Sequence, residues 1–99
     1  MLNIEKNIEG SSAIFSLKGR LDAVTSEELE TELKDVLEEL NELTLDLDGL
    51  DYLSSAGLRV LLSVQKIMDR KGGMKVINVA DPVMEIFEVT GFTEILNIE

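Results

Sequence analysis

Apolar residues recur along this chain with two different periods, and each change of period marks an element boundary. Leu2, Ile4 and Ile8 sit at even spacings; past Gly10-Ser11-Ser12, Ala13, Phe15 and Leu17 alternate with Ile14, Ser16 and Lys18, which predicts two strands joined by a hairpin. Gly19-Arg20-Leu21-Asp22 ends the pair, and Thr25-Ser26-Glu27-Glu28 has the form of a capping box, Thr25 bonding forward and Glu28 back, so a helix is expected there. Leu29, Leu33, Val36, Leu37 and Leu40 extend it at helical spacing, with an acidic face outward. Leu43, Leu45 and Leu47 then alternate with Thr44, Asp46 and Asp48 as a strand that runs into an expected loop, Asp48 to Tyr52.

A second helix is expected from about Ser55 to Arg70. Its apolar residues wrap more than half the circumference and make it the most buried helix, while Arg59, Ser63, Lys66 and Arg70 form one exposed stripe. Gly72-Gly73 turns into a strand over Met74–Val79, and Asp81-Pro82 reads as an N-cap with a first-turn proline. A short helix follows to about Thr90, with Gly91 as its C-cap, and Ile95, Leu96 and Ile98 suggest a last strand. The order is β-β-α-β-α-β-α-β. That implies an α/β domain: a mixed sheet of about five strands packed with three or more helices, the parallel neighbours being joined by helical crossovers. In such sheets partners are met where the chain leaves the carboxyl ends of strands, which directs attention to Asp48–Gly57.

Composition narrows the function. The 99 residues make a single domain, 1–99, with one core, and the absence of cysteine leaves the fold to hydrophobic burial. The net charge of −11 argues against nucleic-acid and anionic-membrane partners and predicts a monomer in isolation. It also predicts steering toward a basic patch on a partner. No basic segment leads an apolar run at the N-terminus, and no run is long enough to span a bilayer, so a cytoplasmic protein is expected. The absence of histidine removes the commonest general base and metal ligand, and neither a metal nor a cofactor is expected.

Asp51-Tyr52-Leu53-Ser54-Ser55-Ala56-Gly57-Leu58 places two hydroxyls and a glycine at a strand-to-helix junction, where free N–H groups and the helix dipole favour an anion. Spacing alone also fits Ser54 or Ser55 as a plain N-cap. The segment resembles the signature loop of the STAS family, shared by sulphate transporters and bacterial anti-sigma factor antagonists. The resemblance extends to Gly19-x-Leu-Asp-x-x-Thr25, to Leu45-Asp46-Leu47 and to the Gly72-Gly73 turn. It implies the STAS fold and a binding switch rather than an enzyme. In that mechanism the unmodified antagonist binds an anti-sigma factor serine kinase and releases a sigma factor; the kinase phosphorylates the antagonist and ends binding; a phosphoserine phosphatase restores it. The family's acceptor serine maps to Ser55. Ser54 stands where the family has aspartate and is the alternative acceptor. The implied partner surface comprises Asp22, Thr25, Ser54, Ala56, Gly57 and Arg59. Asp22 and Thr25 also suit turn and helix caps, and Arg59 suits a partner carboxylate, the phosphate or a solvated helix face.

Two rival readings remain. Asp46-Leu47-Asp48-Gly49 looks like the motif of phosphoaspartyl phosphatases, but alternation points Asp46 away from the face of Leu45 and Leu47, the only aspartates beyond Asp51 are the isolated Asp69 and Asp81, and the chain is too short for the usual fold of that chemistry. Stand-alone STAS proteins also serve as subunits of phospholipid-transport ATPases; the serine signature and the spacing of Asp22 and Thr25 favour the sigma pathway.

Overall fold

The computed structural model describes residues 1–99. It opens with a hairpin in which β1 (Leu2–Glu9) and β2 (Ser12–Leu21) run antiparallel with Glu9 opposite Ser12. Gly10 and Ser11 alone make the turn, and Gly10 takes a φ of 61° that L side chains rarely adopt. Then come α1 (Ala23–Lys34), β3 (Glu42–Leu53), α2 (Ser55–Met68), β4 (Met74–Ile77) and α3 (Asp81–Thr90), with single 3-10 turns at Leu37–Glu39 and Phe92–Glu94. The sheet order is β1-β2-β3-β4, and β2, β3 and β4 are mutually parallel. Each crossover steps the same way across the sheet, so right-handed connections put all three helices on one face. Side-chain burial agrees: Phe15, Leu17, Leu45, Leu47 and Val76 are buried, whereas Glu5, Lys18, Asp48 and Lys75 on the other face are exposed. The buried apolar residues form one contiguous core between the sheet and the helices.

As expected, α2 is the most buried helix, with Gly57, Val60, Leu61, Val64, Gln65 and Met68 inside and Arg59, Ser63 and Lys66 outside, but it ends at Met68, so Arg70, expected in the same stripe, lies in the turn beyond it. Elsewhere the structure corrects the expectations. The cap of α1 is Asp22, and Thr25 is its third residue, so the capping box is Asp22–Thr25 rather than Thr25–Glu28, and the helix starts at Ala23. It also stops at Lys34 although the apolar spacing continues to Leu40. There the chain unwinds, Leu37 and Leu40 stay buried, and the Lys71 ammonium donates to the freed carbonyls of Leu37 and Glu38 at 2.5 and 3.1 Å.

The expected loop Asp48–Tyr52 is strand. Buried positions on β3 are Leu43, Leu45, Leu47, Leu50 and Leu53, so the spacing widens after Leu47, and the register against β2 shifts once between Ser16 and Lys18 and again between Gly19 and Arg20. These bulges keep leucines inward but break the alternation by which a strand is read. Asn78, at φ 56°, follows the end of β4 at Ile77 and leaves Val79 outside the expected strand. Ala80, not Asp81, is the N-cap of α3; Gly91, at φ 79°, closes it as expected. The last strand shrinks to one bridge, with Val76 N donating to Asn97 O and Glu99 N donating to Val76 O, both at 2.9 Å. The sheet therefore has four strands plus a bridge, not five.

Candidate functional site

Parallel pairing of β2 and β3 brings two strand-to-helix junctions side by side at the carboxyl ends of the strands. Leu21 lies opposite Leu53, and Ser54 N donates to Leu21 O at 2.9 Å, tying the start of α2 to the end of β2. Gly57 lies in the first turn of α2 over the same two leucines. A Cβ there would lie 2.6 Å from Leu53 Cδ1 and 3.0 Å from Leu21 Cδ2, so the helix seats this low only because residue 57 has no side chain. Beyond the junction, on the helix-free face, the Arg20 guanidinium stacks 4.1 Å over the Tyr52 ring centroid.

At the first junction, Asp22 Oδ1 accepts from Val24 N at 3.1 Å and from Thr25 N at 3.0 Å. Thr25 Oγ1 accepts from Asp22 N at 2.8 Å, and its single proton lies within reach of Arg20 O at 2.8 Å and Asp22 Oδ1 at 3.0 Å. Every bond that the Asp22 carboxylate accepts ends on Oδ1, which leaves Oδ2 without a protein partner. Thr25 itself is only 6% exposed and acts by positioning Asp22. The Thr25 backbone N–H, then the Thr25 hydroxyl, hold the Asp22 carboxyl below the ordinary aspartate value of 3.8; burial opposes them, and the Val24 N–H adds to the lowering. A depressed carboxylate stabilises the fold above its unfolded pKa, and that contribution is lost as pH falls through the folded one. Asp22→Asn keeps an acceptor at the cap but no charge. Its melting temperature should lie a constant interval below that of the wild type at neutral and mildly acidic pH, and the interval should close as pH falls below 3.8. An interval unchanged in thermal melts down to pH 2 would show that the charge contributes nothing.

At the second junction the two serines divide their roles. Ser54 is the N-cap of α2 and its Oγ accepts from Gly57 N, a long bond of 3.4 Å; Leu58 N donates to Ser54 O at 3.0 Å. Ser55 is the first helical residue, exposed, with a hydroxyl that makes no protein hydrogen bond. Ala56 and Gly57 keep its surroundings low, and Arg59, one turn on, is exposed and forms no ion pair. Of the residues expected from sequence, Asp22, Ser54, Ala56, Gly57 and Arg59 thus lie around the paired junctions with Ser55, and Thr25 lies beneath them. Sequence reading missed Leu21, the carbonyl tether, and Ser26, whose hydroxyl is buried in α1. Strand-end pairing, the signal for Leu21, requires the register.

A family model described as STAS domain matches residues 3–99. The chain belongs to the STAS-domain family. Among STAS relatives, BtrV of Bordetella bronchiseptica is 39% identical over 87 residues, covering 86% of this chain and 75% of that protein. The anti-sigma F factor antagonist of Paenibacillus polymyxa is 30% identical over 100 residues, covering 98% of this chain and 86% of the relative. In three dimensions the domain is similar to the crystal structure of an anti-sigma factor antagonist from Mycobacterium paratuberculosis, with a TM-score of 0.89 at 20% identity over 99% of this chain and 85% of that one. The STAS fold expected from the sequence is therefore the fold observed. None of its helices is long and apolar enough to cross a membrane.

Proposed function

We propose that this STAS domain is a cytoplasmic anti-sigma factor antagonist switched at Ser55. Unmodified, it binds an anti-sigma factor that is also a serine kinase and so frees a sigma factor; phosphorylation of Ser55 ends the binding, and a phosphoserine phosphatase resets it. The observation that carries this reading is the division of labour between the serines. Ser54 Oγ is engaged at the cap, whereas Ser55 presents an uncommitted hydroxyl at the exposed first turn of a helix, where N–H groups without intrahelical acceptors accommodate a phosphate. The small Ala56 and Gly57 let a partner backbone come close, Asp22 offers a free carboxylate oxygen at the adjoining junction, and Arg59 offers an unpaired cation. The names of the relatives support the same reading.

The test is phosphate mapping. Incubated with its anti-sigma factor kinase and Mg-ATP, the wild type should acquire one phosphate, placed on Ser55 by tandem mass spectrometry. Ser55→Ala should acquire none and Ser54→Ala should still be modified. Phosphate on Ser54 alone, or an unmodified wild type, would overturn the assignment.

A further inference from the structure

Between α1 and α2, beside Ser55, runs a groove of about 390 Å³ with walls of opposite charge. Glu27 and Glu30 stand on the α1 side and Arg59 and Ser63 on the α2 side, with Ala56 leaving the end next to Ser55 open. Arg59 and Glu27 lie on facing walls, yet neither is in an ion pair; Glu30 touches only the exposed Lys34, at 3.9 Å. Ser26 lines the same groove, is 2% exposed, and its Oγ has no hydrogen-bond partner. A buried hydroxyl without a partner destabilises a fold, and most are satisfied within their own protein. Here the missing partner and the unfilled gap between opposite charges coincide.

We infer that the groove between α1 and α2 receives a segment of the anti-sigma factor that carries an acidic and a basic side chain, the acid meeting Arg59, the base meeting Glu27 and Glu30, and a polar atom meeting Ser26 Oγ. This deepens the proposed function and rests on it. The complementarity is dipolar, which fixes the direction in which the segment lies as well as its place. It also puts the acidic group of the segment one helical turn from Ser55, where an added phosphate both repels it and competes for Arg59.

The experiment pairs thermal melts with calorimetric titration against the purified anti-sigma factor. Ser26→Ala removes a hydroxyl that is idle in the free protein and used in the complex. It should melt about 4 °C or more above the wild type and yet bind about fivefold more weakly. Arg59→Glu and Glu27→Lys should melt near the wild type and each bind at least about tenfold more weakly. If Ser26→Ala melts lower than the wild type, or if it or both charge reversals bind like the wild type, the groove is not the docking site. A wild type that does not bind the anti-sigma factor removes the functional reading and this inference with it; tight wild-type binding indifferent to the groove variants removes only the inference.

Discussion

Phosphorylation of Ser55 should weaken binding to the anti-sigma factor by roughly a thousandfold and leave the fold intact, with Ser55→Asp reproducing the direction of both effects. The two outcomes separate because the same charge meets two environments. In the free protein the phosphate, carrying about −1.5 to −2 charges, sits at the start of α2, where the dipole and free N–H groups favour it by roughly 0.3–1 kcal/mol, so the melting temperature should hold or rise by a few degrees. In the complex it must be buried against a surface fitted to a hydroxyl, at a spot where the small Ala56 and Gly57 let the partner come close enough to exclude water. A desolvation penalty of only about 4 kcal/mol then accounts for the thousandfold loss. Ser55→Ala should bind with wild-type affinity. Calorimetric titration alongside melts decides the matter: Ser55→Asp binding as tightly as wild type would remove Ser55 from the interface, and a collapsed melting temperature would make the effect one of folding.

The second large effect concerns the seat beneath the switch. Leu21 is fully buried, and its Cγ and Cδ2 lie 3.0 Å from the place a Cβ on residue 57 would take. Leu21→Ala opens a cavity there and should cost about 2–5 kcal/mol, while Gly57→Ala overfills the same space at about 1–3 kcal/mol. Combined, the two should cost less than the sum, because the methyl added at one position occupies room vacated at the other; Leu53 Cδ1, 2.6 Å away, keeps the repair incomplete. Chemical denaturation of the four proteins in the cycle measures the coupling. Strict additivity would mean that Leu21 and Gly57 do not share the contact on which the height of α2 depends.

Wherever local chemistry and periodicity agree, the elements are legible in the sequence. The hairpin about Gly10-Ser11, the buried α2 with its basic stripe and the C-cap at Gly91 all fall where the residues place them. The departures have a shared physical origin. Asp22 displaces Thr25 as the cap because both side chains suit the role, and only the end of β2 at Leu21 decides which of them is free of the strand. Leu37 and Leu40 keep helical spacing but are buried by tertiary packing, not by continued helix. Leu50 escapes a strand reading because bulging hides the period of two. Of the site, the segment around Ser55 is legible in the chain, but the distinction between a capping Ser54 and a free Ser55 requires the backbone, as does the Ser54–Leu21 tether. The groove between α1 and α2 has no local signal, since its walls lie on separate helices.

The irregular stretch of β3 sets a reading frame for the start of α2. Inward positions come at Leu47, Leu50 and Leu53, and α2 starts at a fixed count from the last of them. Exchanging one side chain for another along this stretch leaves the count alone, so exposed Asp48 and Asp51 can drift freely. Losing the extra residue of either bulge leaves Leu53 inward and Ser55 beside Asp22 on a straighter strand, whereas losing a residue where the alternation is regular turns Leu53 outward and swings Ser55 away. Family members that share this junction should therefore differ here by substitution, or by the loss of one residue at either bulge.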